Sequence, residues 1–171
     1  MTDPLPETRP LWSFADAAAV RAWRPLHDGV MGGVSRGAVA AAEGAVRFEG
    51  EVRPENRGGF ASFRIPLDGA RIAGAAGIQL RVRGDGHVYK LALRAGRNAV
   101  SRQAPFETVA DAWTVARVPF SALAPTWRGR PVPDAAPFVP AEVDELGVII
   151  ANAQFGPFAL LVASIDAWAA G

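Results

Sequence analysis

The chain has 171 residues, half of them hydrophobic, and 18 Lys and Arg against 17 Asp and Glu, for a formal net charge of +1. That length fits one domain with a sizeable core, and the near-neutral charge gives no case for nucleic acid or an anionic membrane surface. Cysteine is absent, which excludes disulfides, zinc–thiolate sites and thiol nucleophiles.

Residues 1–10 carry three prolines and read as a loose leader to a single domain over 11–171. Asp3 and Glu7 stand where a secretory signal would be basic, and transit peptides avoid acidic residues, so a cytoplasmic location is expected. The longest apolar runs, such as "FALLVA" (158–163), are too short to span a bilayer. "ADAAAVRAW" (15–23) is the one stretch that reads as a helix, short and N-terminal.

"HDGVMGGVSRG" (27–37) follows, dense in glycine. It lacks the lysine of a P-loop and the G-x-G-x-x-G of a dinucleotide site, and no βαβ unit surrounds it. Gly33-Val34-Ser35-Arg36-Gly37 does match G-x-S-x-G, and Asp85 and His87 follow in the order of α/β-hydrolases. A nucleophile elbow needs a strand before the serine, a helix after it and a parallel sheet. Here a loop leads into short strands, so the match reads as coincidental and no catalytic residue is assigned. Gly29, Gly32 and Gly33 read instead as turn positions where a left-handed or closely packed backbone excludes a Cβ. "ENRGGF" (55–60), with Gly58 and Gly59, is a second segment of that kind.

From residue 38 onward short period-two segments are cut by Gly and Pro, the mark of antiparallel strands. In "AVRFEGEV" (45–52), Val46, Phe48 and Val52 alternate with charged residues. "IQLRVRGDGHVYKLALR" (78–94) reads as a hairpin with Asp85-Gly86 as a two-residue type I′ loop. That register pairs Val82 with Tyr89, Leu80 with Leu91 and Ile78 with Leu93 on one apolar face. "WTVARVPF" (113–120) is another strand, and "APTWRGRPVPDAAPFVP" (124–140) is too rich in proline for a helix or an inner strand. "LGVIIANAQ" (146–154) reads as a central strand and "FALLVASIDAW" (158–168) as the last. The whole predicts an all-β jelly-roll sandwich.

On its polar face the hairpin would set Arg81 opposite Lys90, with Arg83 and Arg94 beside them, and like charges directly opposed are destabilising. Two readings stay open. The side chains splay into water, or the face binds a ligand or partner with help from Ser62, Arg64, Asn152 and Gln154. For a sugar ligand, ring stacking is left to Trp113, Trp127 or Phe106, because Tyr89 faces the core. His27 and His87 show no ligand spacing, so no metal and no cofactor is predicted; a calcium held by loop oxygens would leave little trace in sequence.

Four segments, "W…HDGVMGGVS" (23–35), "ENRGGFASFR" (55–64), "RGDGHVYK" (83–90) and "QFGPFAL" (154–160), occur in an order that resembles the complex I intermediate-associated protein 30 family. The resemblance runs from about Trp12 to Trp168. It implies a galactose-binding-domain-like jelly roll and a non-enzymatic role, since mitochondrial members assist assembly of respiratory complex I. Protein partners would then be respiratory subunits or assembly intermediates, reached in the cytoplasm or at the periphery of the inner membrane through a partner. Relatives of the sandwich include carbohydrate-binding modules, which makes binding of carbohydrate or a small anion on the basic sheet face the alternative. Asp28, Gly32, Gly33, Asn56, Gly58, Gly59, Asp85 and Gln154 match the family's pattern as determinants of shape or binding, Asp28 and Asn56 being counted among the binding candidates. His27 departs from the asparagine expected before the aspartate. The absence of a mitochondrial targeting segment and a length little beyond the bare domain point to a compact, bacterial-type member.

Overall fold

Alternating apolar side chains can be buried on one face of a strand only if a second apolar surface covers them, and here two sheets supply that cover for each other. The computed structural model describes residues 7–13, 24–27, 36–42, 44–54, 59–96 and 100–169. In one sheet the order is β3 (Arg36–Ala42), β4 (Ala45–Val52), β13 (Gly156–Ala169), β6 (Ala75–Arg83) and β9 (Trp113–Pro119), with β1 (Thr8–Ser13) also paired to β13. The other runs β11 (Arg130–Pro131), β10 (Ala124–Trp127), β8 (Ser101–Glu107), β7 (Val88–Arg94), β12 (Glu145–Ile150), β5 (Ala61–Pro66) and β2 (Arg24–His27). All strand pairs in both sheets are antiparallel. The fold is a jelly-roll β-sandwich, and short 3-10 turns are the only helical elements among the described residues.

The core lies between the sheets. Leu80, Val82, Leu91, Leu93, Leu146, Val148, Leu160 and Val162 are all fully buried there, each such side chain contributing on the order of 2 kcal/mol of transfer free energy. Phe48 of β4 meets Phe63 of β5 edge-to-face across the sandwich, with centroids 4.9 Å apart, and Phe158 tilts against Phe48 at 4.8 Å. Midway along β13 the register shifts between Val162 and Ser164. The extra residue moves the core-facing set from Phe158, Leu160 and Val162 to Ile165 and Ala167. One edge of this long strand therefore pairs first with β4 and then with β1.

Two expectations are corrected. Thr8, Arg9 and Pro10 do not belong to a loose leader, because they already pair with Trp168, Ala167 and Asp166 of β13. Nor is 78–94 a hairpin. β6 pairs with β13 and β9, whereas β7 pairs with β12 and β8 in the opposite sheet. The segment between them carries the chain from one sheet to the other. Gly86 has the positive φ expected, +91°, but Asp85 is not among the positive-φ residues, so the turn is not type I′. Ile78, Leu80, Val82, Tyr89, Leu91 and Leu93 still all face inward, because the two sheets look onto the same core. Arg81 accordingly lies opposite Ser164 and Val115, and Lys90 opposite Ile149 and Pro105.

The helix expected over 15–23 lies outside the described residues. So do Asp28, Gly29, Gly32, Gly33, Ser35, Asn56 and Gly58. Gly59 is described, and its φ of +134° is one that only glycine adopts freely.

Candidate functional site

The corner between β6 and β7 brings two of the family-like segments together. The Asp85 carboxylate accepts hydrogen bonds from the backbone N–H of Ala159 (2.8 Å) and of His87 (3.1 Å), and from the Tyr89 hydroxyl (3.1 Å). The His87 ring also touches it, with Nδ1 2.8 Å from Oδ2. Burial pushes the Asp85 pKa up, but the Ala159 and His87 contacts outweigh it and hold the carboxyl below its ordinary range. Tyr89 moves the other way: burial first, then the adjacent Asp85 charge, raise its hydroxyl far above the usual tyrosine value. Gln154 completes the corner. Its Oε1 accepts from Val88 N–H at 2.8 Å, and its Nε2 donates to the carbonyls of Val88 at 2.7 Å and Ala151 at 2.8 Å. Asp85 thus ties the crossover to β13 and Gln154 ties it to the turn before that strand, with the Gln154 amide committed to backbone. Ser35, the third member of the apparent hydrolase set, lies outside the described residues.

The outer face of the seven-stranded sheet is a different kind of place. Alternation sends Ser62 and Arg64 of β5, Glu145, Gly147 and Ile149 of β12, and Lys90, Ala92 and Arg94 of β7 away from the core. Gly147 stands between Arg64 and Ala92 in the register, and Glu145 opposite Arg94. Small residues across the middle leave a shallow recess, with Gly147, Ala92 and Ser62 as floor and Arg64, Arg94 and Glu145 as walls. Arg64 Nη1 lies 3.4 Å and Arg94 Nη1 3.9 Å from the same Glu145 oxygen. Burial, then the like charge of Arg94, lower the Arg64 pKa against the opposing pull of Glu145. At one end of this face Lys90 Nζ donates to Asn152 Oδ1 at 3.2 Å.

Of the binding candidates, Arg64, Lys90, Arg94 and Asn152 therefore share one surface. Arg81 and Arg83 do not, because β6 belongs to the other sheet. There Arg81 lies over the Trp113 ring, 4.9 Å from its centroid, and Arg83 is 3.8 Å from Asp111. The aromatic candidates disperse too. Phe106 is 5% exposed and stacks on Tyr89 inside the core, Trp113 is on the opposite sheet, and Trp127 sits on the short strand β10 near the sheet edge. Among the described residues no aromatic side chain lines the recess. Glu145, Gly147 and Ala92 were not singled out from the sequence. The signal was the alternation of Glu145, Gly147 and Ile149 with Leu146, Val148 and Ile150, hidden because glycine and isoleucine make both parities look apolar.

The described residues thus define an all-β jelly-roll sandwich of two antiparallel sheets, with a recess across the strands of one face. Among solved structures it is similar to a family 11 carbohydrate-binding module from Clostridium thermocellum, in complex with a β-1,3-1,4-mixed-linked tetrasaccharide. The TM-score is 0.70 at 13% identity, covering 95% of this chain and 96% of that one. The family 11 module of the cellulosomal cellulase Lic26A-Cel5E of the same organism gives 0.73 at 12% identity, with 98% and 97% covered. The agarase AgWH50C gives 0.65 at 9% identity, and there the match spans 96% of this chain but only 25% of the agarase. At such identities the likeness concerns the fold alone. A comparison with curated proteins returned no match. The profile of the Complex I intermediate-associated protein 30 (CIA30) family matches residues 12–162, and the chain belongs to that family.

Proposed function

We propose that the protein is a non-enzymatic binding module that acts as a chaperone-like, protein-binding domain in the assembly of a respiratory or membrane-associated complex. The observation that carries this reading is the family match over residues 12–162. The recessed outer face of the seven-stranded sheet is its docking surface. That face gathers Arg64, Lys90, Arg94 and Asn152, whereas Asp85 and Gln154 are engaged in holding the fold. Localisation would be cytoplasmic, with contact to the inner membrane through a partner; no helix among the described residues is long and apolar enough to cross a membrane. Affinity capture with the tagged chain from detergent-solubilised membranes is expected to recover respiratory subunits, and deletion of its gene to deplete the assembled complex on native gels. Normal assembly in the deletion strain, together with capture of none of its subunits, would overturn the proposal.

The second reading is carbohydrate binding on the same face, suggested by the bound tetrasaccharide of the family 11 neighbour. Against it stands the lack of an aromatic side chain among the described residues that line the recess, since sugar sites ordinarily stack rings on aromatic faces. A rise in melting temperature with mixed-linked β-glucan oligosaccharides would favour this reading over the first.

A further inference from the structure

Arg64 and Arg94 approach one carboxylate from different strands, and neither holds it well. Their distances to the same Glu145 oxygen, 3.4 and 3.9 Å, exceed the ~2.7–2.9 Å of a charge-assisted hydrogen bond. The Arg94 Nε is buried and has no acceptor. A buried N–H is stabilised by an acceptor, and among the described residues none stands within hydrogen-bond reach of this one. Two guanidinium groups against one carboxylate also leave a positive charge in the recess, and Lys90 beside it donates to the neutral Asn152 amide. Gly147, Ala92 and Ser62 line the recess beneath the two guanidinium groups, and Arg64 and Arg94 keep part of their own surface exposed beside it.

We propose that this recess binds carboxylate groups of an acidic segment of a partner protein, and that Glu145 is a built-in competitor that occupies the two arginines in the free state. The proposal rests on reading this face as the docking surface for an assembly partner. An incoming carboxylate takes the exposed Nη groups of one guanidinium, while Glu145 keeps the other. An acidic segment of protein fits better than an acidic sugar because the described residues of the recess offer charge and no ring for stacking.

The test is titration of the full chain with an oligoglutamate peptide, with oligoglutamine and an oligogalacturonate as comparisons, followed by amide NMR shifts at low and high salt. Oligoglutamate is expected to bind, to shift residues of β5, β7 and β12, and to weaken as salt rises. Arg94→Gln should weaken it about tenfold, the loss of one charged hydrogen bond. Glu145→Gln should tighten binding about threefold or more, since removing a competing charge frees both forks. If Arg94→Gln does not fold, Arg64→Lys decides the matter by keeping the charge and losing the fork, with an expected loss of about threefold. Weaker binding by Glu145→Gln, shifts confined to the Arg81–Trp113 face, no binding, or binding of the oligogalacturonate alone would each overturn the proposal. Equal capture of respiratory subunits by the wild type and Arg94→Gln would leave the assembly role standing and remove acid recognition. Oligoglutamate binding as described, with no respiratory subunit captured, would do the reverse.

Discussion

Replacing Asp85 with alanine tests the central structural claim, that one carboxylate fastens the crossover between the sheets. The change removes the acceptor for the N–H groups of Ala159 and His87 and for the Tyr89 hydroxyl. The two N–H groups lie near the surface and can turn to water, which lowers their share. Tyr89 is 0% exposed, so its hydroxyl is left without an acceptor, at about 1–3 kcal/mol. With the two lost charged bonds the total comes to about 3 kcal/mol, or a fall in melting temperature of about 6–12 °C for a domain of this size. Thermal and urea unfolding of Asp85→Ala, Tyr89→Phe and the double variant close a cycle, expected to show coupling of at least about 1 kcal/mol. The pH dependence has a fixed sign. The Asp85 carboxyl is held below its unfolded value by Ala159 and His87 despite its burial, so its stabilisation is complete above the unfolded pKa of ~3.9 and is lost as pH falls through the lower folded value. The stability gap between the wild type and Asp85→Asn should thus be widest near neutrality and close in acid. An Asp85→Ala protein melting within about 2 °C of wild type, or a cycle with no coupling, would refute the reasoning.

Other expectations follow from the same geometry. Gln154→Leu removes the bonds to the Val88 N–H and to the carbonyls of Val88 and Ala151, and should cost about 2 kcal/mol in urea unfolding. A Cβ at Gly77 would lie 2.2 Å from the Trp168 ring and 2.5 Å from the Val118 carbonyl, so Gly77→Val should lose about 2–3 kcal/mol, read as a lower denaturation midpoint. Ala153 has a φ of +59° in the turn after β12, and Ala153→Gly should relieve that conformation and raise stability by about 0.5 kcal/mol after glycine's entropy cost. The protein has one tyrosine, and burial with the nearby Asp85 charge raises its pKa. Its stabilisation is therefore present below the unfolded value of ~10 and lost above it, and tyrosinate absorbance should appear only together with alkaline unfolding.

The alternation of Val46, Phe48 and Val52, and of Ile78, Leu80 and Val82, marked both the strands and the side that faces inward. The family-like segments around Asp85 and Gln154 pointed to one fold, and the structure shows two of them meeting at a corner. The candidate site was less legible. Arg64 and Arg94 could be named as basic residues on strands, but Glu145 between them could not, because nothing local says that β12 runs between β5 and β7.

Amino-acid order by itself determined that this chain is a stack of short amphipathic strands, which side chains are buried, and that there is no thiol chemistry. It left open which strands are neighbours. A two-residue-period pattern specifies the face a side chain takes, and in a sandwich both sheets turn that face to a common core. A hairpin and a crossover therefore bury the same six residues of 78–94, at equal hydrophobic gain. What separates them lies outside the segment: β13 and β9 claim one edge each of β6, β12 and β8 those of β7, and Asp85 is held by Ala159, 74 positions further along the chain. Tertiary structure alone parted Arg81 from Lys90 and brought Arg64, Arg94 and Glu145 together.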